Sequence, residues 1–208
     1  MSRKTGQLSF GFTATAAFDE ARKAAGACQA CPLWEPATQT VFGEGPVPAP
    51  VMLIGEQPGD KEDLAGRPFV GPAGQKLNEA LAEAGIPREA VYITNAVKHF
   101  KYVPRGKIRL HQKPLAAEIK ACRQWLEREL EFVQPKVAVA LGATAAHSLF
   151  GKAMPVGKNR GQLFELGAAK GLITIHPSYL LRIESEVDAA VEYKRFVEDL
   201  SLLKPYLG

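Results

Sequence analysis

The stretch Val51–Gly74 constrains the fold most. It opens with a short apolar run, Val51–Ile54, which is bounded by Pro50 and Gly55 and followed by a loop rich in glycine, proline and carboxylates. A short apolar run between turn signals is typical of a buried parallel strand. In an open α/β sheet, ligands bind at the loop that follows a strand's carboxyl end. The sequence therefore predicts that this loop lines a binding crevice; the alternative is a solvated acidic loop.

Strand and helix signals then alternate along the chain. The predicted strands are Val51–Ile54, Val91–Val97, Lys136–Leu141, Gln162–Leu166 and Leu172–Ile175, with a short additional one near Thr40–Phe42. The predicted helices are Ala14–Ala27, Pro72–Ala84, Pro114–Phe132, Ala143–Phe150 and Val187–Leu203, the last with Val187, Val191, Val197 and Leu200 inward. This alternation predicts a doubly wound parallel sheet. A chain of 208 residues suits one domain, so we expect a single unit over 1–208 with 1–14 irregular.

Charge points weakly to nucleic acid. The net charge is +4, and the basic residues are concentrated between Lys98 and Lys113, where Phe100 and Tyr102 lie among them. Basic residues interleaved with aromatic ones favour single-stranded nucleic acid, although a solvated loop has the same composition. The chain contains no apolar run of membrane-spanning length and no signal-like N-terminus, so we expect a cytoplasmic protein.

Three polar segments follow predicted strands: Glu56–Asp63, Asn95–His111 and His176–Ser178. The carboxyl ends of parallel strands share one edge of the sheet, so these segments are expected to meet at one crevice. A planar base would need an aromatic face and an amide to bind its edge, and Phe69 and Asn95 supply these groups. Asn95 and His176 could equally cap turns.

Three cysteines and one histidine form a candidate ligand set. Cys28 and Cys31 have the C-x-x-C spacing that lets two thiolates bind one metal centre. Cys122 lies on the apolar stripe of a helix, where a plain core cysteine is the alternative, and His99 could instead contact phosphate or solvent. Three thiolates and one imidazole suit zinc and an iron–sulfur cluster equally well.

A further histidine, His111, ends the flexible basic segment Arg105–Pro114. A neutral imidazole can act there as a base or as a nucleophile. The spacing alone favours an ordinary solvated histidine.

Several motifs together resemble the uracil-DNA glycosylase superfamily, and in particular its iron–sulfur family 4. They are G-E-Q-P-G-D-K-E-D from Gly55, G-R-P-F-V-G-P-A-G from Gly66, T-N-A-V-K from Thr94, H-P-S from His176, and the preceding C-x-x-C. Two features resemble the UdgX subgroup: His99 stands where ordinary family 4 enzymes have cysteine, and K-I-R-L-H (Lys107–His111) is similar to the subgroup's K-R-R-I-H loop. Ile108 and Leu110 depart from that loop, and Ile108 removes one positive charge.

The resemblance implies a three-layer α/β/α fold with a central four-stranded parallel sheet. It also implies that the protein acts as a monomer on uracil-containing DNA, preferably single-stranded. The pocket would be formed by Gly55 and Gln57, with Phe69 stacking on the uracil, Asn95 binding its edge and His176 stabilising the leaving anion. Glu56 would stabilise the sugar cation, and Gln57, in the loop that lines the pocket, is a further candidate catalytic residue. The DNA contacts would be Lys98, Lys107, Arg109 and Ser178.

The resemblance also favours one alternative for the metal site and one for the role of His111. It implies that Cys28, Cys31, His99 and Cys122 hold a structural [4Fe–4S] cluster in preference to zinc. It implies that His111 attacks C1′ of the abasic sugar and stays bonded to the DNA. The rival hypotheses are a conventional family 4 glycosylase that turns over, and a non-catalytic, metal-containing module that binds nucleic acid.

Overall fold

A computed structural model describes residues 7–207, with side chains from residue 15 onward. The helices are α1 (Gln7–Gly26), α2 (Asp60–Ala65), α3 (Pro72–Glu83), α4 (Ala116–Val133), α5 (Ala143–Phe150), α6 (Val156–Asn159), α7 (Pro177–Leu180) and α8 (Glu186–Ser201). The strands are β1 (Val51–Gly55), β2 (Val91–Asn95), β3 (Tyr102–Arg105), β4 (Ile108–His111), β5 (Val137–Leu141), β6 (Gln162–Leu166) and β7 (Ala169–Thr174). The expectation of an irregular N-terminus was wrong for residues 7–14, which are helical, and residues 1–6 lie outside the described part.

The central sheet has the order β2-β1-β5-β7-β6. The first four strands are parallel, and β6 pairs antiparallel with β7 at the edge. The predicted four-stranded parallel sheet is therefore confirmed, with one antiparallel edge strand added. Strands β1, β2 and β5 are buried along their whole length, which explains why they read as continuous apolar runs.

Two apolar cores cover the two faces of the sheet, since alternate side chains of a strand point in opposite directions. Val51 and Leu53 of β1 pack with residues of α3, α7 and α8. Met52 and Ile54 pack on the other face with residues of α1, α4 and α5. This arrangement is the expected three-layer α/β/α fold.

Two details of the sequence prediction were wrong. Val187 and Val191 of α8 are 74% and 52% exposed, whereas Val197 and Leu200 are buried as predicted, together with Phe196. No strand forms over residues 40–42; the nearest pairing is an isolated bridge between Glu44 and Ile93. Within residues 7–207, no helix is long and apolar enough to span a membrane.

The basic segment contains a β-hairpin that is separate from the central sheet. Strands β3 and β4 pair antiparallel, with Tyr102 opposite His111 and Pro104 opposite Arg109. These two pairs lie on one face of the hairpin and Val103, Arg105, Ile108 and Leu110 on the other, because side chains alternate along a strand. The hairpin thus places His111 and Arg109 on the same face.

Candidate active site

A cavity of about 920 Å³ lies at the carboxyl ends of the parallel strands. All of the predicted catalytic and uracil-binding residues except Gly55 line it together, and Ser178, predicted to contact DNA, joins them: the set is Glu56, Gln57, Phe69, Asn95, His111, His176 and Ser178. The expectation that three distant segments meet at one crevice is therefore confirmed. The lining also includes Arg182 and the Gly142–Ala143 turn, which the sequence analysis did not select.

One wall of the cavity is formed by Phe69 and Asn95, both buried. Phe69 has a φ of 56°, in the left-handed region, and its ring centroid is 5.8 Å from that of His176. Gly55 makes the close packing possible, because a Cβ there would lie 2.6 Å from Phe69 Cζ and would overlap Asn95 Oδ1. A residue larger than glycine at this position would displace the groups that form the wall.

His176 combines the two roles that the sequence left open. Its Nδ1 caps α7 by accepting a hydrogen bond from the Ser178 amide (3.2 Å), and it is 2.8 Å from Ser178 Oγ. The remaining proton of a neutral ring is therefore on Nε2. Burial, aided by Arg182 and His111, lowers the pKa of His176 to about 4. At neutral pH this residue is thus a neutral N–H donor.

Glu56 and His111 lie close together at the cavity. Glu56 Oε1 is 3.6 Å from His111 Nε2, too far for a hydrogen bond. Glu56 Oε2 accepts a hydrogen bond from Thr144 Oγ1, which fixes the carboxylate from α5. Burial lowers the pKa of His111, and the nearby Glu56 only partly opposes this. The pair therefore combines a fixed carboxylate with an imidazole that is neutral at neutral pH.

Thr144 was missed by the sequence analysis. It lies three residues after the end of β5, so it shows the same signal as the other strand ends, a polar residue just beyond a buried strand. A threonine in this position is also common in the first turn of a helix such as α5, so the signal by itself does not identify a site residue.

Gln57 lies at the cavity, but its amide is used within the protein. Nε2 donates to the carbonyl oxygens of Lys101 (3.3 Å) and Gln112 (3.0 Å), and Oε1 accepts from the Lys101 amide (3.3 Å). Gln57 thus binds both ends of the hairpin segment. Its position favours holding the hairpin over the predicted direct role in catalysis.

Arg109, predicted to contact DNA, also has partners within the protein. Its Nε is 2.6 Å from Asp60 Oδ1, and its Nη1 is 2.6 Å from Asp63 Oδ2. The guanidinium also lies over the rings of Phe100 and Tyr102, at 5.3 and 5.1 Å. The side chain therefore anchors β4 to α2, which was not expected. Lys107, at the turn between β3 and β4, is exposed.

Lys98 was wrongly predicted to contact DNA. Its residue exposure is 0%, and its Nζ is 2.5 Å from Glu129 Oε2. A DNA phosphate cannot reach an ammonium that is enclosed in this way. The error arose because the partner, Glu129, lies on α4, 31 residues away in sequence.

Three of the four candidate cluster ligands lie close together. Cys31 and Cys122 border one small apolar cluster with Leu33 and Val97. The pKa of Cys122 is raised to about 11, mainly by burial; Lys98 opposes the rise, and the nearby Cys31 and Cys28 contribute to it. The three thiols therefore lie within electrostatic range of one another, as donors to one centre must.

The fourth predicted ligand, His99, has a hydrogen-bond partner within the protein: its Nε2 is 2.8 Å from Thr40 Oγ1. In the described part of the chain, no three Cys, His, Asp or Glu side chains are arranged to hold a single metal ion. Three thiols and one imidazole are nevertheless a donor set known for iron–sulfur clusters.

Comparison with known proteins agrees with this geometry. The model of the uracil DNA glycosylase superfamily matches residues 42–201. The chain is 42% identical over 184 residues to a type-4 uracil-DNA glycosylase of Thermotoga maritima, covering 86% of this chain and 89% of the relative. It is 37% identical over 166 residues to a type-4 uracil-DNA glycosylase of Saccharolobus solfataricus, covering 77% and 72%. A type-5 uracil-DNA glycosylase of Pyrobaculum aerophilum is 30% identical over 153 residues, covering 65% and 64%. The chain therefore belongs to the uracil DNA glycosylase superfamily.

Proposed function

We propose that this protein excises uracil from DNA and then captures the abasic site covalently through His111. The names of the relatives support excision. One observation carries the capture step: His111 Nε2 lies 3.6 Å from Glu56 Oε1, in the cavity that Phe69 and Asn95 also line. In the proposed complex the base lies against Phe69 and its sugar lies toward His111.

Excision begins when the target nucleotide leaves the base stack, which costs least in a single strand. Phe69 stacks on the uracil, and the Asn95 amide binds its edge. The bond between N1 and C1′ breaks with its electron pair going to the base, so the sugar gains positive charge and the uracil negative charge. The neutral His176 Nε2–H donates to the uracil anion, and the Glu56 carboxylate faces the cation.

Capture follows at C1′. The neutral His111 ring forms a nitrogen–C1′ bond with the lone pair of Nε2, and the alkylated ring then loses its Nδ1 proton to solvent. The uracil leaves after taking up a proton. Each protein molecule would therefore react once.

The structural centre proposed beside this site is a [4Fe–4S] cluster held by Cys28, Cys31, His99 and Cys122. When bound, it would tie the segment that follows α1 to α4. No chemical step is assigned to it. A brown protein with broad absorbance near about 400 nm, lost together with iron on acid treatment, is the expected result; a colourless protein that binds only zinc would contradict it.

The capture step is tested on a denaturing gel with a single strand that contains one uracil. The parent should give a slow protein–DNA species, His111→Gly should give none, and His147→Ala, which changes an exposed histidine on α5, should behave like the parent. If the parent releases uracil repeatedly and forms no adduct, the capture hypothesis is wrong.

A conventional glycosylase that uses water is the second candidate. The relatives are named uracil-DNA glycosylases, which supports this candidate. The His111 side chain is 50% exposed, so water can also reach this part of the cavity. Turnover by the parent distinguishes this function from the first.

We further propose that the protein acts as a monomer on single strands, with Lys107 and Ser178 contacting the phosphates beside the target. Faster excision from a single strand than from a duplex is expected. Lys107→Gln should weaken binding to all sequences alike and reduce its salt dependence.

A further inference from the structure

A buried ion pair lies below the pocket and has no part in the chemistry described so far. The side chains of Lys98 and Glu129 are 1% and 0% exposed, with Nζ and Oε2 2.5 Å apart. Removing two charges from water costs free energy that their attraction often fails to repay, so such a pair is weak evidence for stability. Its value lies in the geometry that it fixes.

The contacts of the pair show which groups are fixed. Lys98 Nζ donates to Glu129, to Thr94 Oγ1 (2.7 Å) and to the Asn95 carbonyl oxygen (2.6 Å). An ammonium has three protons, so all of them are used. The Glu129 carboxylate also accepts from Tyr92 Oη and from the Gly43 amide, both at 2.9 Å. Neither ion can move without breaking several bonds.

We propose that the Lys98–Glu129 pair positions Asn95 for uracil recognition. Asn95 is the last residue of β2, and its amide side chain lines the cavity while its carbonyl oxygen is held from the opposite side by Lys98. The inference rests on the proposed excision of uracil. A residue that must bind a base edge needs a fixed backbone as well as a fixed side chain.

Lys98 also connects Asn95 to α4. The Lys98 backbone N–H donates to Cys122 Sγ at 3.2 Å, and Cys122 and Glu129 lie two turns apart on that helix. Both ends of Lys98 are therefore bound to α4, and Asn95 takes its position from that helix. Packing at Cys122 is thereby connected to recognition at the pocket.

A double-mutant cycle tests the proposal. Lys98→Met alone would leave Glu129 buried without a cation, so the variant used is Lys98→Met with Glu129→Gln, which removes both charges and keeps both shapes. Single-turnover uracil release should fall about 10- to 100-fold, and the inhibition constant of free uracil should rise about tenfold. In an Asn95→Ala background the same change should alter both values by less than about twofold, because the group that it positions is absent.

Tyr92→Phe is the matched control. It removes one buried hydrogen bond to Glu129 and leaves the contact from Lys98 to Asn95 in place, so it should lower the melting temperature without changing the inhibition constant. Equal effects of the charge-removing variant with and without Asn95 would overturn the proposal, as would an unchanged inhibition constant. Failure of the parent to release uracil would instead overturn the proposed function.

Discussion

Replacing Arg109 with methionine should separate uracil excision from covalent capture. Arg109 ties the hairpin to α2 through Asp60 and Asp63, at 2.6 Å each, and its Nη1 also donates to Thr38 Oγ1 at 3.2 Å. His111 lies two residues further along the same strand. The groups assigned to excision lie outside the hairpin, so the substitution acts on the nucleophile's position alone.

The magnitude follows from the burial of the pair. The Asp63 side chain is 0% exposed and that of Arg109 is 19% exposed, whereas Asp60 is 44% exposed and can be hydrated. Removing one partner of a buried pair costs about 3–5 kcal/mol, and because Asp60 is exposed we expect the lower value, about 3 kcal/mol. At about 1.4 kcal/mol per tenfold, the ratio of docked to undocked hairpin falls about 100-fold.

The assay follows both products in one reaction, free uracil and the adduct on a denaturing gel. Arg109→Met should lower the rate of adduct formation by up to about 100-fold and leave uracil release nearly unchanged. Arg109→Lys, which keeps the charge but not the planar fork that binds two carboxylates, should give an intermediate rate. The reasoning is refuted if adduct forms at the parental rate in Arg109→Met, or if excision and capture fall together.

Three further predictions follow from the site. Gly55→Ala should abolish uracil release, measured as free base, because the added methyl overlaps Asn95 and Phe69; near-parental release would contradict the packing. Burial lowers the pKa of His111, so the adduct rate should rise with pH only below about 6.5 and stay level through neutrality; an adduct rate still rising above pH 7 would contradict this. The pKa of His176 is about 4 in the fold and about 6.5 when unfolded, so the unfolded state binds more protons between these values. The free energy of unfolding should therefore fall by up to about 3 kcal/mol as the pH drops from 6.5 to 4, a loss that His176→Asn should remove in denaturant titrations.

The fold and the position of the pocket could be predicted because local sequence encodes both. Buried parallel strands read as short apolar runs, and β1 and the parallel part of the sheet followed from them. Polar residues just beyond strand ends must share one edge, which located Glu56, Asn95 and His176 without knowledge of any contact.

What could not be predicted depends on partners that are distant in sequence. Lys98 looked like its basic neighbours, and only Glu129 on α4 makes it a buried residue. Arg109 and Gln57 likewise have side-chain types common at DNA and substrate contacts, but their partners are carboxylates and carbonyl oxygens that the fold brings to them. Side-chain type indicates what a group can bind and does not indicate which partner is nearby.

The hairpin also has a consequence for engineering. Its segment enters at Lys101 and leaves at Gln112, and the backbone amide of Gln112 donates to the carbonyl of Lys101 at 2.9 Å. The two ends of the segment are thus neighbours, and the residues between them contribute no strand to the central sheet. The length of the intervening segment is therefore open to change, because the entropy of closing a loop changes slowly with its length, provided that Arg109 keeps its contacts with Asp60 and Asp63. Hairpins that keep Arg109 but carry a different nucleophile at position 111, or none, should therefore be exchangeable on the same base-binding scaffold.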